Sequence, residues 1–129
     1  MTRVCAVPQF FFVLSVLTAG CAGHSTAPSQ QPLGQPFELR PGASAAVEGG
    51  LKVTFERVPS DSRCPMDALC IRAGEALVAL TVSQDGRNAV ARELRTDGAG
   101  SETSYLGFSI KLIALAPYPR SDRQILPED

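Results

Sequence analysis

The chain changes character twice along its length. Val4 to Thr18 carries no charge and centres on Phe10-Phe11-Phe12-Val13-Leu14. Ala22 to Pro36 holds three Pro, two Gly and three Gln, again without charge, and only Leu33 is a large apolar residue. From Phe37 onward, short apolar–polar alternations broken by turn residues run to the last residues. A period of two is the signature of strands with one face buried.

Within that third region Phe37-Glu38-Leu39-Arg40 alternates and stops at Pro41-Gly42. Ala45 to Glu48 is a short run ending at Gly49-Gly50, a tight-hairpin signal. Leu51, Val53 and Phe55 alternate with Lys52, Thr54 and Glu56 in the cleanest strand pattern of the chain. Val58 falls off that register, which predicts a bulge near Arg57 or the end of the strand. Glu75 to Gln84 is apolar on both phases and reads as a central strand covered on both sides. Asp85-Gly86 is the favoured pair for a type I′ turn. Asn88 to Thr96 then returns as a more polar strand, with Val90 and Leu94 inward and Arg92 and Arg95 near the edge. After the loop Gly98 to Ser101, Tyr105 to Leu115 reads as one strand, closed by Ala116-Pro117-Tyr118-Pro119. Tyr118 is expected in the core rather than on the surface. No 3.6-residue period appears outside the first segment, although a helical turn fits within Pro65 to Leu69. The expectation is an all-β fold: a small antiparallel β-sandwich or partly open barrel of about six strands, with a thin core that needs a crosslink.

The first segment reads as an export signal. Arg3 supplies the positive n-region, and about 15 apolar residues are short of the roughly 20 that span a bilayer. Leu17-Thr18-Ala19-Gly20-Cys21 resembles the lipobox of bacterial lipoproteins, with Thr18 where Leu or Val is usual. The resemblance implies cleavage before Cys21 and acyl chains on that residue, whose partner is the membrane. Two or three chains make a lasting anchor. An ordinary secretory signal with a chance Cys is the competing reading. Ala22 is not Asp, which by the sorting rule of enteric Gram-negative bacteria resembles outer-membrane placement. The chain thus divides into a signal peptide at 1–20, a lipidated disordered tether at 21–36 and a single β domain at 37–129. His24, the one His, falls in the tether and reads as a solvated spacer residue.

Net charge is −1, and loss of Arg3 leaves 11 basic residues against 13 acidic. That balance excludes a basic nucleic-acid binder. Of four Cys, Cys5 leaves with the signal and Cys21 takes lipid, which leaves Cys64 and Cys70. In an exported chain such a pair reads as a structural disulfide around Pro65 to Leu69. Two other readings stand beside it. Cys64, Met66 and Cys70 are soft ligands suited to copper(I), with Asp61 or Asp67 nearby. A redox-active thiol is the third, although no CxxC is present. Asp61, Ser62 and Arg63 suit a turn held by local hydrogen bonds. Together with Asp67 they are also the candidate binding loop for an envelope protein or a small ligand.

Asp61-Ser62-Arg63-Cys64-Pro65, then Cys70, then Ala73-Gly74-Glu75-Ala76 and Pro117-Tyr118-Pro119, resembles an uncharacterised family of small bacterial exported proteins and lipoproteins. The family carries no established reaction. It often has Trp where this chain has Arg72, so the position is either a lost anchor or a surface site. Relatives continue past the segment matching Leu126 to Asp129, which implies a sheet lacking its final strand.

Catalytic signatures are missing: no phosphate loop, no HExxH, no nucleophile elbow. Lys52 and Lys111 lie on polar strand phases, and the carboxylates are scattered. The expectation is a lipid-anchored, non-enzymatic envelope protein without a cofactor. A soft-metal lipoprotein is the alternative, and an envelope hydrolase comes last.

Overall fold

A computed structural model describes residues 30–127 and 129. The expected export signal and expected lipid attachment at Cys21, with Cys5 and His24, lie outside the described residues. Leu51, Val53 and Phe55 are buried and Lys52 and Glu56 exposed, so the alternation seen in the sequence is the alternation of a half-buried strand.

The domain is all-β. Its strands are β1 (Ser44–Val47), β2 (Leu51–Asp61), β3 (Ala76–Gln84), β4 (Arg87–Arg95), β5 (Glu102–Tyr105) and β6 (Phe108–Lys111). They form two antiparallel sheets, β1-β2-β3-β4 and β5-β6, which do not close into a barrel. Register sets the core. Val53 lies opposite Val82, Phe55 opposite Leu80, and Val78 opposite Leu94. All six point to one side, where they join Val47, Leu51 and Tyr105 in one buried cluster. The β5–β6 hairpin closes that side with Tyr105, while Phe108 and Ile110 pack against it from the same phase. The Tyr105 hydroxyl donates to the Asn88 carbonyl at 2.8 Å, which ties the hairpin to β4.

Both sequence options at Val58 occur in part. The ladder shifts register between Phe55 and Arg57 and again before Ser60, but β2 continues to Asp61. The Asp85-Gly86 turn has φ of 50° and 71°, as a type I′ hairpin requires.

Four expectations need correction. Phe37–Arg40 forms no strand; Leu39 alone packs against the core from an extended segment. Tyr105–Leu115 is not one strand: Tyr105 ends β5, and only Phe108–Lys111 form β6 of the same hairpin. Leu106 and Gly107 turn the chain with φ of 45° and 87°, and a Leu in that left-handed region is rare enough that sequence gives no warning. Six strands therefore occur, but one expected strand is lost, another shortens, and β5 forms over Glu102–Tyr105, where only Tyr105 was expected in a strand. β3 is central, yet only Ala76, Val78, Leu80 and Val82 are buried. Leu77, Ala79 and Thr81 are half-buried among cross-strand neighbours such as Thr54, Ala91 and Glu93, because the second sheet lies on the other side. Finally, Pro65 to Leu69 holds a single turn closed by Ala68 N–H to the Pro65 carbonyl, with no helix.

Candidate functional site: the stapled β2–β3 loop

The loop between β2 and β3 is built as a continuation of their hairpin. Beyond the Asp61–Ala76 pair, Ser62 N–H donates to the Glu75 carbonyl at 2.8 Å and Cys64 N–H to the Ala73 carbonyl at 2.7 Å. The Ser62 hydroxyl bridges the same pair, donating to the Glu75 carbonyl and accepting from the Glu75 N–H. Gly74 makes this approach feasible. Its φ is +68°, and a Cβ there would lie 1.8 Å from the Ser62 carbonyl oxygen. The Gly of Ala73-Gly74-Glu75-Ala76 is thus a packing requirement. Cys64 and Cys70 are joined, with Sγ–Sγ 2.08 Å and Cα–Cα 5.9 Å.

Arg63 is the one buried charged residue among those described. Its Nε and Nη2 clasp both oxygens of Asp61, at 2.9 and 2.6 Å. Nη1 donates to the Leu115 carbonyl at 2.7 Å and Nη2 to the Pro117 carbonyl at 3.0 Å. Four of the five guanidinium donors are therefore used inside the protein. The guanidinium also lies 5.0 Å from the centroid of the Tyr118 ring, a cation–π contact. Tyr118 is half exposed: it covers Arg63 from outside and is not in the core, contrary to expectation. The reason is the cation beside it, which the ring shields from water on one side. Hydrogen bonds from Arg63 hold the Asp61 carboxyl below the usual carboxylate range.

Asp67 is likewise engaged. The Ser121 N–H donates to one of its oxygens at 2.9 Å and the Ser121 hydroxyl to the other. These bonds lower its pKa as well. Met66 N–H donates to the Pro119 carbonyl at 3.0 Å. Arg63, seated on Asp61, and Asp67 thus form a clamp that fixes residues 115–121 to the loop, while Ser62 braces the loop's own strands against Glu75. Asp61 and Arg63 also line a largely apolar cleft of about 450 Å³, but their charges are already matched within its wall.

The side chains that face water are others. Leu69 and Ile71 are fully exposed, and Met66 and Arg72 project beside them. The Arg72 position is therefore a surface site. Leu69 and Ile71 were not among the candidate residues; the available signal was two large aliphatics on either side of Cys70 with no alternating partner. With its sulfurs bonded, the Cys64–Met66–Cys70 set offers one thioether and no thiolate. Compared with protein-family models, curated proteins and solved structures, the chain matches none.

Proposed function

We propose that the chain is a lipid-anchored protein of the bacterial cell envelope, held at the outer membrane facing the periplasm through acyl chains on Cys21, and that it acts as a non-enzymatic binding module. Its binding surface is the apolar tip of the stapled loop. One observation carries this reading: the loop buries Arg63 and engages Asp61 and Asp67 in hydrogen bonds of its own, while its large aliphatic side chains face outward unpaired. Two large aliphatics with no burial at all are not explained by folding, since burial is what stabilises such side chains. A disulfide and an internal clamp hold them in place, so little ordering entropy opposes their docking.

Both halves of the proposal are testable. Labelling cells with palmitate should mark the wild type and not Cys21→Ser, and globomycin should accumulate uncut precursor. The chain has two Met, and Met66 is the one beyond the signal. Peroxide oxidation of Met66, followed by mass spectrometry, should be slow in intact envelopes and fast in the purified protein. Equal rates would remove the tip as a covered surface.

A further inference from the structure

We infer that Gln31 is a pin that sets which end of the domain the lipid anchor holds, so that the Leu69–Ile71 tip is presented away from the membrane. The inference rests on the reading of Cys21 as the anchored residue and adds the orientation of the domain above the surface.

The pin is built from backbone. Gln31 forms an isolated parallel bridge with Val47 at the outer edge of β1. Its N–H donates to the Ala46 carbonyl at 2.7 Å, and its carbonyl accepts from the Glu48 N–H at 3.0 Å. Leu33 N–H donates to the Glu48 carboxylate at 3.3 Å. Part of the segment read as a tether is thus attached to the sheet. Its place there is specific. Val47 lies opposite Leu51, and Asp85 N–H donates to the Gly50 carbonyl at 2.9 Å, so Gln31 and the Gly49-Gly50 and Asp85-Gly86 turns share one end of the sheet. The stapled loop leaves from the other end, where Asp61 lies opposite Ala76. The length of β2 separates the two ends by roughly 30 Å, at about 3.3 Å per residue.

Without the pin the chain joins the sheet elsewhere. The next backbone bond after Gln31 runs from the Gly42 N–H to the Phe55 carbonyl at 2.7 Å, part-way along β2 toward the loop. Gln31 therefore moves the point of attachment from the middle of β2 to the end far from the tip. Nine residues separate Cys21 from Gln31, which cannot span more than roughly 35 Å whatever path they take. The pinned end stays within that distance of the anchor. Orientations that aim the tip below the pinned end drive the domain into the bilayer, while those that aim it outward are open. The tip therefore stands farther from the surface, on average, than the end that holds Gln31.

The chain has no Trp, and Lys52, near the pin, and Leu69, at the tip, are both exposed. Lys52→Trp and Leu69→Trp therefore give single fluorescent donors at the two ends. Each full-length acylated protein is reconstituted into phosphatidylethanolamine vesicles whose headgroups carry a dansyl acceptor. Energy transfer from Lys52→Trp should exceed that from Leu69→Trp at least twofold. Equal transfer, or more from Leu69→Trp, overturns the orientation. Adding Gln31→Pro and Glu48→Ala removes the Gln31 donor and the Leu33 acceptor, and should bring the two values together. An undiminished ratio overturns the pin as the cause. Failure of the anchor reads differently: the protein then stays behind when the vesicles are floated and neither donor transfers, which overturns the anchor and the orientation with it.

Discussion

Arg63 donates from Nη1 to the carbonyl oxygen of Leu115 at 2.7 Å, across 52 residues of sequence. A second bond, to Pro117, and the Tyr118 ring complete the contact. One side chain thus ties the stapled loop to the segment that follows β6. In β6 itself, only the neighbouring β5 pairs with it among the described residues. The clamp therefore does the work that a longer ladder does elsewhere in the domain.

Arg63→Met should remove this tie. It leaves Asp61 without its cation and two carbonyls without their donor, and leaving partly buried groups of this kind unpaired costs about 1–3 kcal/mol. Urea unfolding should show the loss, and limited proteolysis should show cleavage after Arg120 at concentrations that spare the wild type. Arg63→Lys should recover only part of it, because an ammonium cannot reproduce the planar fork.

Acid should weaken the same contact. The Asp61 carboxyl is held below its ordinary value by hydrogen bonds from Arg63. A carboxyl with a depressed folded-state pKa binds its proton more readily when unfolded. Its contribution is complete above the unfolded value of about 4 and is lost as pH falls through the folded one. Stability should therefore decline below about pH 4, and Asp61→Asn should flatten that decline while lowering stability at neutral pH. Denaturant midpoints measured from pH 7 to pH 2 decide it.

Two glycines separate strain from crowding. Gly74 and Gly86 both have positive φ, 68° and 71°. A Cβ at Gly86 meets nothing within 4 Å, whereas at Gly74 it strikes the Ser62 carbonyl. Gly86→Ala should cost about 1–2 kcal/mol from backbone conformation alone. Gly74→Ala should cost more, since the two strands of the loop must part. Equal losses would mean that the Ser62–Glu75 pairing contributes nothing.

The sheet was legible because burial on one face leaves a period of two, as Leu51, Val53 and Phe55 show. The type I′ turn at Asp85-Gly86 was legible because few residues tolerate its φ values. The turn at Leu106-Gly107 was not, because Leu is not a left-handed residue. The clamp was half legible. Asp61, Ser62, Arg63 and Asp67 stood out as a cluster, but nothing local tells that Arg63 also reaches two carbonyls more than 50 residues away. Leu69 and Ile71 were hidden for a different reason. Aliphatic residues are assumed to be buried, and only coordinates show that these are not.

The staple itself should matter in degree. Closing the ring from Cys64 to Cys70, seven residues, stabilises by about 2–2.5 kcal/mol through chain entropy. Cys64→Ser with Cys70→Ser should lower the unfolding free energy by that amount, and reductant should do the same to the wild type. The clamp and the Ser62–Glu75 and Cys64–Ala73 bonds remain in both cases, so the domain should still fold. By contrast, Leu69→Ser with Ile71→Ser should leave stability within about 0.5 kcal/mol, because exposed side chains away from caps and cores contribute little. The two double variants therefore separate fold from function. If the tip serves the fold, replacing its aliphatics should lower the melting temperature as the cysteine variant does. If it serves binding, the melting temperature should hold and Met66 in intact envelopes should oxidise as fast as it does in solution.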